Sequence, residues 1–253
     1  MLWNTGENKM INGFILSLQF FTRIPINKQI DFNKENLKYS IFFLPLVGII
    51  IGGIGGLVYK ILQPHNNMIG AFLALLITII LTGGLHLDGL SDTVDGFFSN
   101  REKEETLKIM KDSRVGAFGV LSIVLIVLFK FILISNINKL PLVLALSFAN
   151  SRLVVAWIIS SKKVAKDNGL GKSFSDSNPK KLVIIGGVIY TILISILHIR
   201  FLIPLAINFL IGQYISQVSY KKINGLSGDV YGAIIEIGEA ISLLSFWGVM
   251  IWI

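Results

Sequence analysis

The sequence predicts an all-α fold, a polytopic integral membrane bundle of about seven transmembrane helices preceded by an N-terminal interfacial helix. Three observations predict it. Of the 253 residues, 53% are hydrophobic and only 15% are charged, with a mean hydropathy of +0.71, far from the balance of a water-soluble domain. Apolar stretches near the roughly 20 residues needed to cross a bilayer recur along the chain. Lys and Arg gather in alternate connections between those stretches, as they do in multi-pass proteins.

In order along the chain, residues 11–24, "INGFILSLQFFTRI", are too short to span and read as an interfacial helix. Spans follow at about 39–62, 67–88, 115–137, 140–160, 181–199, 201–219 and 232–253. The segments expected on one side carry eighteen Lys and Arg residues, against three (Lys60, Lys139 and Arg200) on the other. This asymmetry predicts a cytoplasmic N-terminus in a cell (cytoplasmic) membrane. Lys130 and Arg152 fall inside spans; Lys130, nearer the outer end, reads as a snorkelling residue. All fifteen Asp and Glu residues lie on, or within a few turns of, the cytoplasmic side. Acidic residues contribute little to topology, so this second asymmetry points to chemistry at that face.

The opening "MLWNTGENKMINGF" lacks a signal-peptide pattern, and no cleavage is expected. No repeat or linker divides the chain, so residues 1–253 read as a single integral-membrane domain. There is no cysteine and only three His residues, so any metal is expected on carboxylates. The net charge of +8 flanks apolar spans instead of forming a stripe, which argues for the lipid bilayer as partner and against nucleic acid.

Three clusters carry the chemistry. In "LTGGLHLDGLSDTVDGFF", residues 81–98, Asp88, Asp92 and Asp95 sit at i, i+4 and i+7 and share a helix face if the second span continues into the cytoplasm. Three like charges on one face repel, and a divalent cation, magnesium first, relieves them. A solvated helix end is the plainer alternative, weakened by the interleaved Leu87, Leu90 and Val94. In "IMKDSRVGAFG", residues 109–119, Lys111 and Arg114 suit phosphate oxygens, and Asp112 suits a metal or a proton; the alternative is a basic membrane anchor with Asp112 as helix cap. In "NGLSGDVYGAIIEIGEA", residues 224–240, Asp229 and Glu236 share a helix face, with Glu239 further round. Ionisable residues inside a span are costly and usually functional, the alternative being carboxylates paired with Lys or Arg of another helix. Arg152 is expected to face the bundle interior and a polar ligand. His86 reads as a structural hydrogen-bonding residue. "GLGKS", residues 169–173, fails the phosphate-loop pattern and stays a basic glycine loop.

Carboxylates on neighbouring helices with basic groups close by fit metal-assisted phosphoryl or nucleotidyl transfer. Gly-x3-Asp-x3-Asp at residues 84–92 is similar to half of the CDP-alcohol phosphotransferase signature, whose other half is missing. A closer likeness runs through nearly the whole chain. "FFTRIP", "FFLPLVGIIIG", "TGGLHLDGLSDTVDG", "IMKDSRVGAFGV", "GLGKSF" and "GLSGDVYGAIIEIGE", in this order, resemble the cobalamin synthase family of adenosylcobinamide-GDP ribazoletransferases. The resemblance implies that adenosylcobinamide-GDP reacts with α-ribazole or its 5′-phosphate, giving adenosylcobalamin or its phosphate and GMP, with Mg2+. It also implies roles for residues of this chain. Asp88 and Asp92 would bind metal with help from Asp229 or Glu236, and Asp95 or Asp112 would be the base. Lys111, Arg114 and Arg152, with Arg23 and Glu239, would contact substrate and phosphates. A phospholipid-making CDP-alcohol phosphotransferase and a cation-coupled transporter are the competing readings, and homo-oligomerisation is left open.

Overall fold

The computed structural model describes residues 9–137, 140–166 and 169–251. Among the described residues twelve α-helices are formed: α1 (Lys9–Phe21), α2 (Lys34–Phe42), α3 (Leu44–Leu62), α4 (Asn67–Thr82), α5 (Leu85–Phe98), α6 (Lys103–Ile109), α7 (Ala117–Asn136), α8 (Leu140–Ser161), α9 (Leu170–Asp176), α10 (Lys180–Leu197), α11 (Leu202–Ile223) and α12 (Gly228–Ile251). Among the described residues the β-structure is one isolated bridge between Val164 and Leu226. Six of these helices are long and apolar enough to cross a membrane, and α4 with α5 makes a seventh candidate span bent by 85°. The chain is therefore a multi-pass helical bundle, with α1 as the short N-terminal helix. The last expected span runs two residues past the described ones.

Two expected spans are broken, each by local chemistry. The first, 39–62, divides at Phe43 into α2 and α3, where Pro45 occupies the first turn of α3, a position that needs no amide donor. The second, 67–88, stops at Thr82. Gly83 and Gly84 both take the left-handed conformation, with φ of 64° and 70°, which ends α4 and starts α5 in a new direction. The aspartates of α5 thus lie on a separate helix turned across the bundle instead of on a straight cytoplasmic extension.

α8 is the central pillar, buried along almost all of its length. Its closest neighbour is α3, which approaches through a stripe of glycines. Side chains at Gly48, Gly52 or Gly56 would meet the backbone of Phe148, Leu144 and Pro141 respectively. Small residues at four-residue spacing are how membrane helices bring backbones together. By contrast α7 and α10 turn exposed Leu125, Ile132, Val188 and Ile196 outward, as lipid-facing helices do.

Candidate active site

Helix α5 crosses α12 at near backbone contact. A Cβ on Gly89 would stand 2.8 Å from the carbonyl oxygen of Asp229, and one on Gly232 would stand 3.2 Å from that of His86. Only glycine allows this approach, and it puts Asp88 and Asp92 of α5 beside Asp229 in the first turn of α12. Asp88, Asp229 and Asp95 all act electrostatically on Asp92. Ser227 holds the start of α12: its hydroxyl accepts from the Val230 N–H and donates to the Asp229 carboxylate, each at 3.3 Å.

The loop after α8 reaches the same place. Ala165 N–H donates to the Leu226 carbonyl at 2.8 Å, Leu226 N–H donates to the Lys163 carbonyl at 3.1 Å, and Lys163 N–H donates to the Tyr220 hydroxyl at 2.6 Å. This sets Lys166 near the start of α12, within the field of Asp229. Partial burial, together with the neighbouring Lys111 ammonium, holds the Lys166 amine below the ordinary lysine range. The crossing of α5 and α12, together with this loop, thus gathers three carboxylates, with the Lys166 amine near Asp229.

Other expected site residues hold different partners. Asp95 is turned toward α7, where its two oxygens accept the Gly116 and Gly119 N–H groups at 2.7 and 2.8 Å and so cap that helix. Asp112 accepts from the backbone N–H of Arg114 at 3.0 Å and from its guanidinium at 3.0 and 2.7 Å. The guanidinium hydrogen bonds hold the exposed Asp112 carboxyl well below the usual range, at about 2. Arg23 is exposed and lies over Gly83 at the α4–α5 bend, its N–H donating to the Leu81 carbonyl at 2.6 Å.

Glu236 and Glu239 stand apart from the cleft because they lie two to three turns further along α12. Both accept from Lys130 of α7 at 2.5 Å, and Glu239 also accepts from Arg152 of α8 at 2.5 Å. All four side chains are buried. Arg152 does face the interior, as expected, but its identified partners are the Glu239 carboxylate, the Phe148 carbonyl and the Ser151 hydroxyl. Its Nε and Nη2, and both ring nitrogens of His86, have no protein partner.

Lys130 and Lys166 escaped the sequence reading. Depth along a helix does not reveal that Lys130 faces inward, and sixty residues separate Lys166 from the Leu226 strand position that fixes it.

The donor chemistry of the cleft suits magnesium, a hard cation that is commonly held by one or two carboxylates plus phosphate oxygens and water. Among the described residues no three acidic or His side chains converge closely enough to enclose an ion, so Asp88 and Asp229 would supply at most part of a magnesium coordination shell. These two act directly on each other electrostatically.

Residues 13–247 match the cobalamin-5-phosphate synthase family. The chain belongs to that family. Within it, the chain is 39% identical over 246 residues to an adenosylcobinamide-GDP ribazoletransferase of Clostridium botulinum, covering 93% of this chain and 97% of the relative. Enzymes of the same name from Treponema denticola and Clostridium acetobutylicum are 38% and 35% identical, over 90% and 93% of this chain and 95% and 96% of the relatives. No solved structure matches the chain. Membership in this family does not favour the phospholipid-synthase or transporter readings.

Proposed function

We propose that the chain is a transferase that joins adenosylcobinamide-GDP to α-ribazole or its 5′-phosphate, giving adenosylcobalamin or its 5′-phosphate and GMP. The observation that carries this reading is the family match across 13–247, with relatives bearing that enzyme name over almost their full length. The α5–α12 crossing supports it, since it brings Asp88, Asp92 and Asp229 together as metal-assisted transfer from a diphosphate ester requires.

In this reading the ribazole hydroxyl oxygen forms a bond to the cobinamide-side phosphorus, and the bond from that phosphorus to the bridging oxygen breaks. The bridging oxygen leaves on GMP. Asp92 takes the hydroxyl proton: it is half-buried between Asp88 and Asp229 and has no donor among the described residues, whereas Asp95 is a helix cap and Asp112 is tied to Arg114. Asp88 and Asp229 hold Mg2+, which supplies charge neutralisation at the diphosphate when bound. Lys111 contacts the phosphates, with Arg23 near the α4–α5 bend. Glu236, Glu239 and Arg152 act from the bundle interior by fixing α12. The active face is cytoplasmic, the side to which the basic loops assign it.

The test is turnover by the purified chain in nanodiscs supplied with adenosylcobinamide-GDP, α-ribazole and magnesium. Release of GMP with formation of adenosylcobalamin is expected, with loss on chelation and recovery on adding magnesium back. Release of CMP from CDP-diacylglycerol without any corrinoid product would overturn the reading.

A further inference from the structure

Helix α5 has two unlike faces. Asp92 lies two residues from both Leu90 and Val94, so it projects to nearly the opposite side of the helix from them. Leu90, Val94 and Phe98, spaced i, i+4 and i+8, make the apolar side. Between that side and α7 runs a groove of about 720 Å3, floored by Ile237 of α12. Ile237 is half-buried within a run, Val230 to Ala240, that is otherwise buried, and this groove is where it emerges. The Phe98 and Phe118 rings meet at 5.6 Å and mark the end of the groove where α7 begins.

The walls exclude a polar ligand. Among the described residues lining the groove only Ser122 is polar, and its hydroxyl already donates to the Gly119 carbonyl at 2.7 Å. An apolar hollow of this kind stays dry, and its walls lack dispersion partners until something apolar fills it. Phe118, Leu121 and Leu125 of α7 are each at least half exposed, on the most apolar of the six candidate spans. The groove is therefore continuous with the lipid-facing surface of the bundle. Along α7 it runs from Phe118 to Phe129, about 16 Å at 1.5 Å per residue, which is close to one leaflet of a roughly 30 Å hydrocarbon core. Because α7 starts at Ala117, the groove begins at the membrane boundary and ends near its middle.

We propose that this groove binds one acyl chain of a bilayer phospholipid, which packs against the apolar side of α5 while Asp88 and Asp92 face away from it. A chain seated there is walled by α5, α7 and α12, so it is held more tightly than lipid lying against a single helix. The site is independent of the reaction assigned to the acidic face of α5.

The test uses the full-length chain in phosphatidylcholine nanodiscs doped with a phosphatidylcholine that carries a diazirine part-way along one acyl chain. The protein is passed into maltoside detergent by size-exclusion chromatography and irradiated afterwards, so that loosely held lipid is lost first. Crosslinks on Leu121 and Leu125 are expected at least about tenfold above those on the outward-facing Phe72 and Ile80 of α4. Equal labelling of the two helices, or no retained lipid, would overturn the site. Ser122→Trp places an indole in the groove and is expected to cut the groove crosslinks about tenfold. Val124→Trp, on the exposed opposite side of α7, is expected to leave them unchanged. Labelling that survives Ser122→Trp in protein of unaltered melting temperature counts against the groove, and if that variant does not fold, the wild-type pattern decides by itself. Loss of the crosslinks on adding α-ribazole would assign the groove to an aromatic base and overturn the lipid. Groove labelling without corrinoid turnover would sink the proposed transfer and leave the lipid site standing.

Discussion

Lys130 and Glu239 meet at 2.5 Å in the middle of the bundle, and the other oxygen of that carboxylate takes the Arg152 guanidinium at the same distance. With Glu236 also on Lys130, two acids and two bases balance in a site closed to solvent. The network ties α7 and α8 to α12, the helix that begins with Asp229. Deleting one member leaves a net buried charge, which costs about 3–5 kcal/mol. Lys130→Met is expected to lower the melting temperature of the nanodisc-embedded protein sharply. Adding Glu236→Gln restores charge balance and is expected to return part of the loss. A Lys130→Met protein that melts like wild type would show that the network contributes no stability.

The division of labour in the cleft gives distinct kinetic signatures. Asp88→Asn removes a proposed metal ligand, so the magnesium concentration for half-maximal rate is expected to rise by at least the roughly tenfold that even an outer partner's loss costs. Asp92→Asn removes the proposed proton acceptor and is expected to lower kcat by about 10² or more with little change in magnesium dependence. Titrating magnesium against rate for both variants separates the roles. If Asp92→Asn shifts the magnesium curve and Asp88→Asn does not, the roles are exchanged.

Asp95 distinguishes a cap from a base. Asn keeps one of the two accepting oxygens, so Asp95→Asn is expected to lose part of the cap's stability but retain activity within about threefold, and Asp95→Ala to cost roughly 1 kcal/mol of stability, as for other lost caps. Rate and melting temperature measured on both variants decide it. Near-total loss of turnover in Asp95→Asn at normal stability would return the base to Asp95.

Much of this was legible in the sequence because hydropathy is one-dimensional information. Spans such as 115–137 and 140–160 coincide closely with α7 and α8, since a bilayer-length apolar run has few other ways to satisfy its backbone. The α5 aspartate spacing was equally readable, being local. The bend at Gly83–Gly84 was not: the flanking residues stay apolar, and glycine pairs turn a chain without changing its hydropathy. Lys130 was misread for a related reason, since its partners lie 106 and 109 residues away and only helix rotation decides whether a lysine snorkels or turns inward. For Glu236 and Glu239 the simple alternative, pairing with a base on another helix, is the arrangement found.

The glycine stripe on α3 carries its own control in the next residue. A Cβ on Gly52 would run into the Leu144 carbonyl of α8, whereas one on Gly53 would meet nothing within 4 Å. Ala raises intrinsic helix stability over Gly by up to about 1 kcal/mol, so Gly53→Ala is expected to leave the melting temperature unchanged or slightly raised. At Gly52 the same gain is offset by a collision with backbone that can yield only if the two helices separate, and α8 is packed on every other side. Gly52→Ala is therefore expected to lower the melting temperature, and Gly52→Leu to reduce the yield of folded protein, by thermal unfolding and size-exclusion profiles respectively. Equal melting temperatures for the two alanine variants would mean that α3 and α8 do not pack through this stripe.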